Sequence, residues 1–411
     1  MNFYLNKYGF CPPQLNSTPK KDLGIIIVIP CFNEPDLVRT LRSLDYCDSP
    51  ECSVEVIVVL NSSETSSQGV LKQNEKSKID FLEFVTNKRN DRIDYHLIDS
   101  PNLPKKHAGV GLARKIGMDE AVYRFHSIDH DGIIVCFDAD SLCDNNYLVS
   151  IENHFQKFPK TPGCSIHYEH PTSGKEFERL IYEGIVNYEL HLRYYNQCFR
   201  FCDLPYAFHT VGSSMAVRSS AYQKQGGMNK RKAGEDFYFL HKIIALGNFT
   251  ELKSTKVIPS PRVSDRVPFG TGKAIGEWID SSEEEYYTYN FYIFIELKKF
   301  ITLIPSFYEK EFNSGTLDLH PAFVEYFSSI GIEDKLEELV KNTKDFEGFK
   351  KRFFVWFDAF QVMKLVHHMQ NCGFGDIKIL RAVNHLLQEK GDEPLKSNLD
   401  QLLYFRELEK K

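Results

Sequence analysis

The chain is expected to be an α/β protein whose larger N-terminal part is built on a doubly wound sheet and whose remainder is mostly helical. Three observations lead there. Short strand-like stretches recur along the first part: the apolar Gly24 to Pro30 and Ile133 to Phe137, the mostly apolar Val54 to Leu60, and the more mixed Ile93 to Ile98. Continuous runs of that length suit parallel strands covered on both faces. Helical spacing follows the first strand and precedes the fourth, in the manner of strand–helix–strand repetition. From about Ser281 the pattern changes: Tyr, Phe and Leu recur at helical spacing with Lys and Glu between them.

Residues 1–23 form a polar, Pro-containing lead-in without clear periodicity. The first strand, Gly24 to Pro30, stops at a proline. Asn33 is suited to cap the next helix, with Pro35 in its first turn. Leu37, Val38, Leu41 and Leu44 give that helix its buried face. A second strand ends in Asn61-Ser62-Ser63, and a third is followed by a Pro-rich loop. A helix over Gly109 to Tyr123 turns Ile116, Ala121 and Val122 inward. After the fourth strand come a strand at Gly163 to Tyr168 and a Tyr- and Leu-rich helix over Lys175 to Asn196. A small-residue strand region follows near Phe208 to Arg218, then a helix opened by Ala233-Gly234-Glu235-Asp236 and running to about Leu246, and a loop over Pro259 to Lys273. Domain boundaries are expected at 24–275 and 281–411, with helices near 283–302, 321–342, 347–371, 376–390 and 395–409.

Composition excludes several functions. A net charge of −6 provides no basic field for nucleic acid. The ten cysteines show no paired zinc spacing. Met1 to Phe10 lacks the basic start and apolar run of a signal peptide, and apolar stretches such as Phe291 to Ile304 are broken by charge. The expectation is a cytoplasmic chain with reduced thiols.

The fourth strand carries the chemistry. Ile133-Ile134-Val135-Cys136-Phe137 runs into Asp138-Ala139-Asp140, two carboxylates one residue apart. In an extended chain such residues point the same way, and two carboxylates aimed together call for a hard cation with oxygen ligands. Strand ends also carry Asp simply as turn residues. What favours a site is company: Asn33, Glu34, Asn61, Asp138 and Asp140 all fall where strand carboxyl ends should meet, the usual ligand edge of such sheets.

Residues 24 to about 275 resemble a family 2 glycosyltransferase of the GT-A fold, a nucleotide-diphospho-sugar transferase with a Rossmann-like mixed sheet. The matching stretches are Ile29-Pro30-Cys31-Phe32-Asn33-Glu34, Val58 to Ser63, the DxD at Asp138-Ala139-Asp140, and Gly234-Glu235-Asp236. The resemblance implies that Asp140 and Asp138 hold Mn²⁺ or Mg²⁺ on the diphosphate of a UDP- or GDP-sugar, Asp140 being the more direct ligand. It implies that Pro30, Asn33, Glu34 and Asn61 surround the nucleoside, although relatives often have Asp where Asn61 stands. Asp236, beside Glu235, matches the general base of inverting members; capping of a helix start is the plain alternative. Arg114 and Lys115 are within reach of phosphate or ribose if they do not lie on a solvated face. Arg262 and Arg266 flank a loop suited to bidentate phosphate contact. Many metal-dependent relatives add a His in this later region; none lies between Pro259 and Lys273, where Asp265 is the nearest substitute. His209 is expected to be structural or acceptor-facing. The Gln-x-x-Arg-Trp motif of processive relatives is absent, so a single transfer is expected.

Other readings stay open. A retaining GT-A transferase shares the DxD. A haloacid-dehalogenase-like phosphatase would use Asp138 as nucleophile, but on the first strand rather than the fourth. A nucleotidyltransferase would want Gly and Lys after strand one, and a dehydrogenase a Gly-x-Gly-x-x-Gly there. A degenerate, partner-recruiting scaffold is the non-enzymatic alternative. The acceptor is expected to be a saccharide, a lipid-linked molecule or a small molecule, reached from the cytoplasm or from a membrane surface. The C-terminal helices are a candidate homo-oligomer surface.

Overall fold

The computed structural model describes residues 2–266, 270–281, 285–309 and 318–411. Three residues of the loop expected at Pro259 to Lys273, and the first two of the helix expected at 283, lie outside them; the described residues from 285 become helical only at Phe291. The chain divides into two compact units: Met1–Ile185 with Thr210–Glu277 and Glu409–Lys411, and Val186–His209 with Trp278–Leu408.

The first unit is a mixed sheet of eight strands covered by helices. Its parallel half consists of β1 (Leu23–Cys31), β2 (Ser53–Ser63), β3 (Ile93–Leu103) and β4 (Ile133–Cys136). β5 (Leu142–Cys143), β6 (Gly163–Tyr168), β7 (Met215–Arg218) and β8 (Thr250–Ile258) complete the order β3-β2-β1-β4-β7-β6-β8-β5. β7 runs antiparallel to both β4 and β6. The apolar runs behave as expected. Ile25, Ile27 and Ile29 of β1 join Val54, Val56 and Val58 of β2 and Val135 of β4 in one buried cluster. The register pairs Cys31 with Leu60 and Val28 with Cys136, so the carboxyl ends of these three strands open at the same edge.

The first unit also carries α1 (Phe3–Tyr8), α2 (Leu37–Asp45), α3 (Gln68–Thr86), α4 (Val110–Ser127), α5 (Tyr147–Lys157), the N-terminal part of α6 (Arg179–Phe201), α7 (Ser219–Lys224), α8 (Glu235–Ile244) and α9 (Thr271–Asp280) as far as Glu277. One local expectation fails. Asn33 does not cap α2: its own backbone is left-handed, φ 50°, and α2 begins only at Leu37 after Asp36. Asn tolerates that conformation better than most residues, so the chain turns sharply at the strand end instead of starting a helix. Pro35 accordingly precedes the helix.

The second unit is mostly helical: the rest of α6 and α9, then α10 (Phe291–Thr302), α11 (Ile304–Glu309), α12 (Pro321–Ser329), α13 (Ile332–Lys341), α14 (Phe346–Trp356), α15 (Ala359–Met369), α16 (Ile379–Glu389) and α17 (Asn398–Lys410) as far as Leu408. The long helices expected over 321–342 and 347–371 are each two shorter ones. Gly331, at φ 64°, interrupts the first, and Asp358 caps the second half of the other through the Gln361 N–H. The core is aromatic, with Phe300 and Phe327 stacked 4.0 Å apart. Buried Glu189 accepts hydrogen bonds from Arg193 and Arg406, at 2.8 Å from each Nε. No helix among the described residues is long and apolar enough to cross a membrane.

Candidate functional site

Three adjacent parallel strands deliver the site. β4 ends at Cys136, and Phe137-Asp138-Ala139-Asp140 turns away from the sheet. The turn is pinned from α2, whose Thr40 hydroxyl donates to the Ala139 carbonyl at 2.9 Å. Beside it, Glu34 in the turn that follows β1 is 1% exposed, a burial that a carboxylate sustains only when paired. Its partners come from the loop after β8. Arg262 Nη1 donates to Glu34 Oε1 at 2.9 Å and Arg262 Nη2 to Oε2; Arg266 Nη1 donates to Oε2 at 3.0 Å. The same guanidiniums reach Asp140 Oδ2, from Arg262 Nη2 at 2.7 Å and from Arg266 Nη2 at 3.4 Å. Burial pushes the Asp140 carboxyl above the usual range against the pull of Arg262, and Asp138 and Glu34 push the same way.

A second ion-pair system lies on the other side of the DxD. Arg114, from the buried helix α4, donates through Nη2 to Asp138 Oδ1 at 2.5 Å and through Nη1 to Glu235. Burial works against the guanidinium, but Asp138 and Glu235 together outweigh it and hold the charge. Glu235 and Asp236 occupy the first turn of α8, reached through Gly234 at φ 67°. That left-handed entry suits glycine. Asp236 Oδ1 accepts from the Phe237 N–H at 2.8 Å, so part of its role is indeed to satisfy the helix start. Burial raises the pKa of both carboxyls, with Arg114 opposing and Asp138 adding to the rise. Gly212 closes this pocket: a Cβ there would meet Arg114 Nη1 at 2.5 Å and Cζ at 2.8 Å.

The structure thus brings Glu34, Arg262, Arg266 and Asp140 together on one side, and Asp138, Arg114, Glu235 and Asp236 on the other, through the two carboxylates of one turn. Pro30 sits at the end of β1, opposite Val59 of β2. Asn61 is buried in β2, and its carbonyl accepts from Asn74 Nδ2 at 2.9 Å. Asn74 Oδ1 in turn accepts the Asn33 N–H at 2.9 Å. Asn74, on α3, therefore ties two strand ends together, and sequence reasoning missed it. What singles it out is its burial, which the sequence does not display. Lys115 stands apart from the site. It is buried, donates to Tyr4 at 3.1 Å, and pairs with Asp119 at 3.0 Å, serving the N-terminal segment rather than a phosphate.

Five carboxylates in these two systems meet three guanidiniums, which leaves two uncompensated negative charges when all are ionised. Among the described residues no group of three or more His, Cys, Asp and Glu side chains forms a closed metal cage. Mg²⁺-type ions are commonly held by one or two carboxylates with substrate phosphates and water completing the shell. The oxygen donors of Asp138 and Asp140 fit that kind of cation.

Residues 26–225 match the model of glycosyl transferase family 2. Similar solved structures include S. aureus TarS 1-349 in complex with UDP-GlcNAc, at 12% identity and TM-score 0.38, covering 93% of this chain and 90% of that one. S. aureus TarS 1-349 alone gives 12% identity and TM-score 0.39, over 79% and 89% of the two chains. No curated protein sequence matches the chain.

Proposed function

Because residues 26–225 belong to glycosyl transferase family 2 and the chain is a GT-A-fold glycosyltransferase, we propose that it moves one sugar from a UDP- or GDP-sugar to an acceptor hydroxyl, with inversion and with Asp236 as general base. The observation that supports this is the run of contacts from Asp138 through Arg114 to Glu235, which brings the acidic start of α8 to the DxD. A base there can take the proton of a hydroxyl attacking from the side opposite the leaving diphosphate.

The chemistry asks three things of the protein. The anionic donor must enter a site that already carries excess negative charge. The residues that would hold Mn²⁺ or Mg²⁺ against that repulsion are Asp140 and Asp138; such a cation supplies electrostatic stabilisation of the leaving diphosphate. Arg262 and Arg266 add bidentate contacts to phosphate oxygens. Next, the nucleoside must be oriented, for which Pro30, Asn33 and Asn61 line the strand ends, with Asn74 fixing the last two. Finally, a base must be poised above its free pKa, and burial acts on Asp236 in that direction. Arg114 and Glu235 would hold the pieces in register.

The acceptor in this reading is a saccharide, a lipid-linked molecule or a small molecule, met in the cytoplasm or at a membrane surface. The helical second unit is proposed to shape acceptor access or to join copies of the chain.

Calorimetric titration of a panel of nucleoside diphosphates, with and without Mn²⁺, on wild type and Asp140→Ala tests the donor site. One nucleotide binding in a metal-dependent way, and losing that dependence in the variant, is expected. No binding by any nucleotide with metal present would overturn the reading.

A further inference from the structure

The two arginines of the β8 loop do more than wait for phosphate. We infer that Arg262 and Arg266 are an internal counter-cation for Asp140, so that a divalent cation gains full access to that carboxylate only after a nucleoside diphosphate has drawn the guanidiniums away. The inference rests on the proposed transferase reading and concerns the order in which that site fills.

Its ground is how unequally the arginines are held at their two ends. At Glu34 they are anchored. This carboxylate is almost fully buried; Arg262 grips both its oxygens, Arg266 adds a third contact, and the Asp36 N–H donates to Oε1 at 3.0 Å. Arg266 Nη1 also donates to the Phe32 carbonyl at 3.1 Å. At Asp140 the contact is single-sided. Both guanidiniums converge on one oxygen, Oδ2, and the Arg266 contact is a long 3.4 Å. Asp140 is also the more open of the two carboxylates, its side chain 22% exposed against 1% for Glu34. The weaker attachment is thus the one that a ligand would have to break.

Arg262 Nη2 is shared between Glu34 Oε2 and Asp140 Oδ2. A positive group therefore already lies against the carboxylate to which the metal is assigned. A dication approaching Asp140 must displace it or suffer like-charge repulsion. A diphosphate offers the same guanidiniums better acceptors, since fork-to-fork contact with phosphate is strong and directional. Arg262 Nε is buried without a partner among the described residues, so a donor is left over. Among the described residues of this loop, the Ser264 N–H donates to the Gly272 carbonyl at 3.2 Å, a backbone bond that does not involve the guanidinium heads at Asp140, and Ser264 Oγ accepts from Arg266 Nε at 2.9 Å. Cation and nucleotide then bind with positive coupling, reciprocal by linkage.

The test is a Mn²⁺ titration followed by electron paramagnetic resonance, with and without saturating UDP or GDP, on wild type, R262Q, R266Q and D140N. Removing a competing guanidinium should tighten Mn²⁺ binding in the absence of nucleotide by about fivefold or more in R262Q, the scale on which coupled sites act. R266Q, whose contact is longer, should shift the same way by less. In both variants nucleotide should improve Mn²⁺ affinity less than it does in wild type. Unchanged Mn²⁺ affinity in both arginine variants, with D140N still abolishing binding, would overturn the counter-cation and leave the transferase site standing. Mn²⁺ binding that D140N does not weaken would remove the assigned metal site itself. If R262Q does not fold, R266Q alone decides by the direction of its shift.

Discussion

Arg114→Met removes the charge that joins the DxD to α8 while keeping a side chain of similar length. Its cost can be worked out from the two carboxylates left behind. Asp138 has 36% of its side chain exposed and regains water, so its share is below about 1 kcal/mol. Glu235 is 2% exposed and does not. A buried charge that loses its partner costs about 3–5 kcal/mol unless it takes up a proton. Burial already raises the Glu235 pKa in the intact protein, against the pull of Arg114; without Arg114 it rises further. The sign follows by linkage. A carboxyl whose folded pKa lies above its unfolded value loses stability as pH rises between the two, at about 1.4 kcal/mol per pH unit. In wild type that decline ends at the native pKa of Glu235. In R114M it continues to higher pH, so the difference between the proteins is smallest in mild acid and widens with alkalinity towards about 3–5 kcal/mol. Urea unfolding of both proteins from pH 5.5 to 9 measures it, and R114M/E235Q should lose most of the extra slope, Asp236, which Arg114 also holds down, keeping the rest. Parallel curves for wild type and R114M, or a double variant as pH-sensitive as the single one, would refute the assignment of Arg114 as the counter-charge of Glu235.

D236N should lower kcat by about 10²–10⁴ with little change in donor Kd, because a positioned base acts on the chemical step. The base must be ionised, so wild-type turnover should fall as pH drops through a pKa that burial has lifted above the ordinary Asp value; a kcat profile flat from pH 5 to 8 would count against Asp236. G212A would drive a methyl group into the Arg114 guanidinium; the expected loss is about 1–3 kcal/mol, as for other overpacked sites, with weaker nucleotide binding by calorimetry. Glu169 is partly buried, which opposes its ionisation, but His167 at 3.0 Å, Lys410 at 2.8 Å and Lys256 at 3.0 Å outweigh that and lower its pKa. Its contribution is therefore present above the unfolded Glu pKa and lost as pH falls below it: E169Q should be less stable than wild type by about 1–3 kcal/mol at pH 7, and the two melting curves should converge below about pH 4.

Much of the parallel half of the sheet could be read from the sequence because its buried strands are mostly apolar. β1, β2 and β4 are such runs, and each shows it without a neighbour for context. β8 could not. Thr250–Ile258 mixes Lys, Glu and Thr with its apolar residues and is only partly buried, as a strand near a sheet edge can be. α3 hid for a related reason: Ile79 and Leu82 are 56% and 57% exposed, while Phe81 and Phe84 face inward, which blurs its apolar face. α5 did carry a signal, Leu148, Ile151 and Phe155 at helical spacing, and all three are buried. The breaks within the C-terminal helices depended on single residues, Gly331 and Asp358, that spacing alone does not weigh.

The site divides along the same line between local and long-range information. Two carboxylates at a strand end, or an acidic pair at a helix start, are local patterns, and they stand out in the sequence. What joins them is not local. Arg262 and Glu34 lie 228 positions apart, and Arg114 meets Glu235 across 121. No propensity or period links such residues; parallel strand order and the packing of α4 do. This separation bears on Glu34 in particular. By resemblance it belongs with the nucleoside, yet its burial and its grip on both arginines suit a carboxylate that orients other groups. E34Q would keep its shape and lose its charge, freeing Arg262 and Arg266 to settle wholly on Asp140. If Glu34 contacts the nucleoside, the variant should weaken nucleotide binding and leave Mn²⁺ affinity of the nucleotide-free protein unchanged; if it anchors the arginines, it should weaken Mn²⁺ binding to the nucleotide-free protein, opposite in sign to R262Q. The two roles therefore separate in one titration.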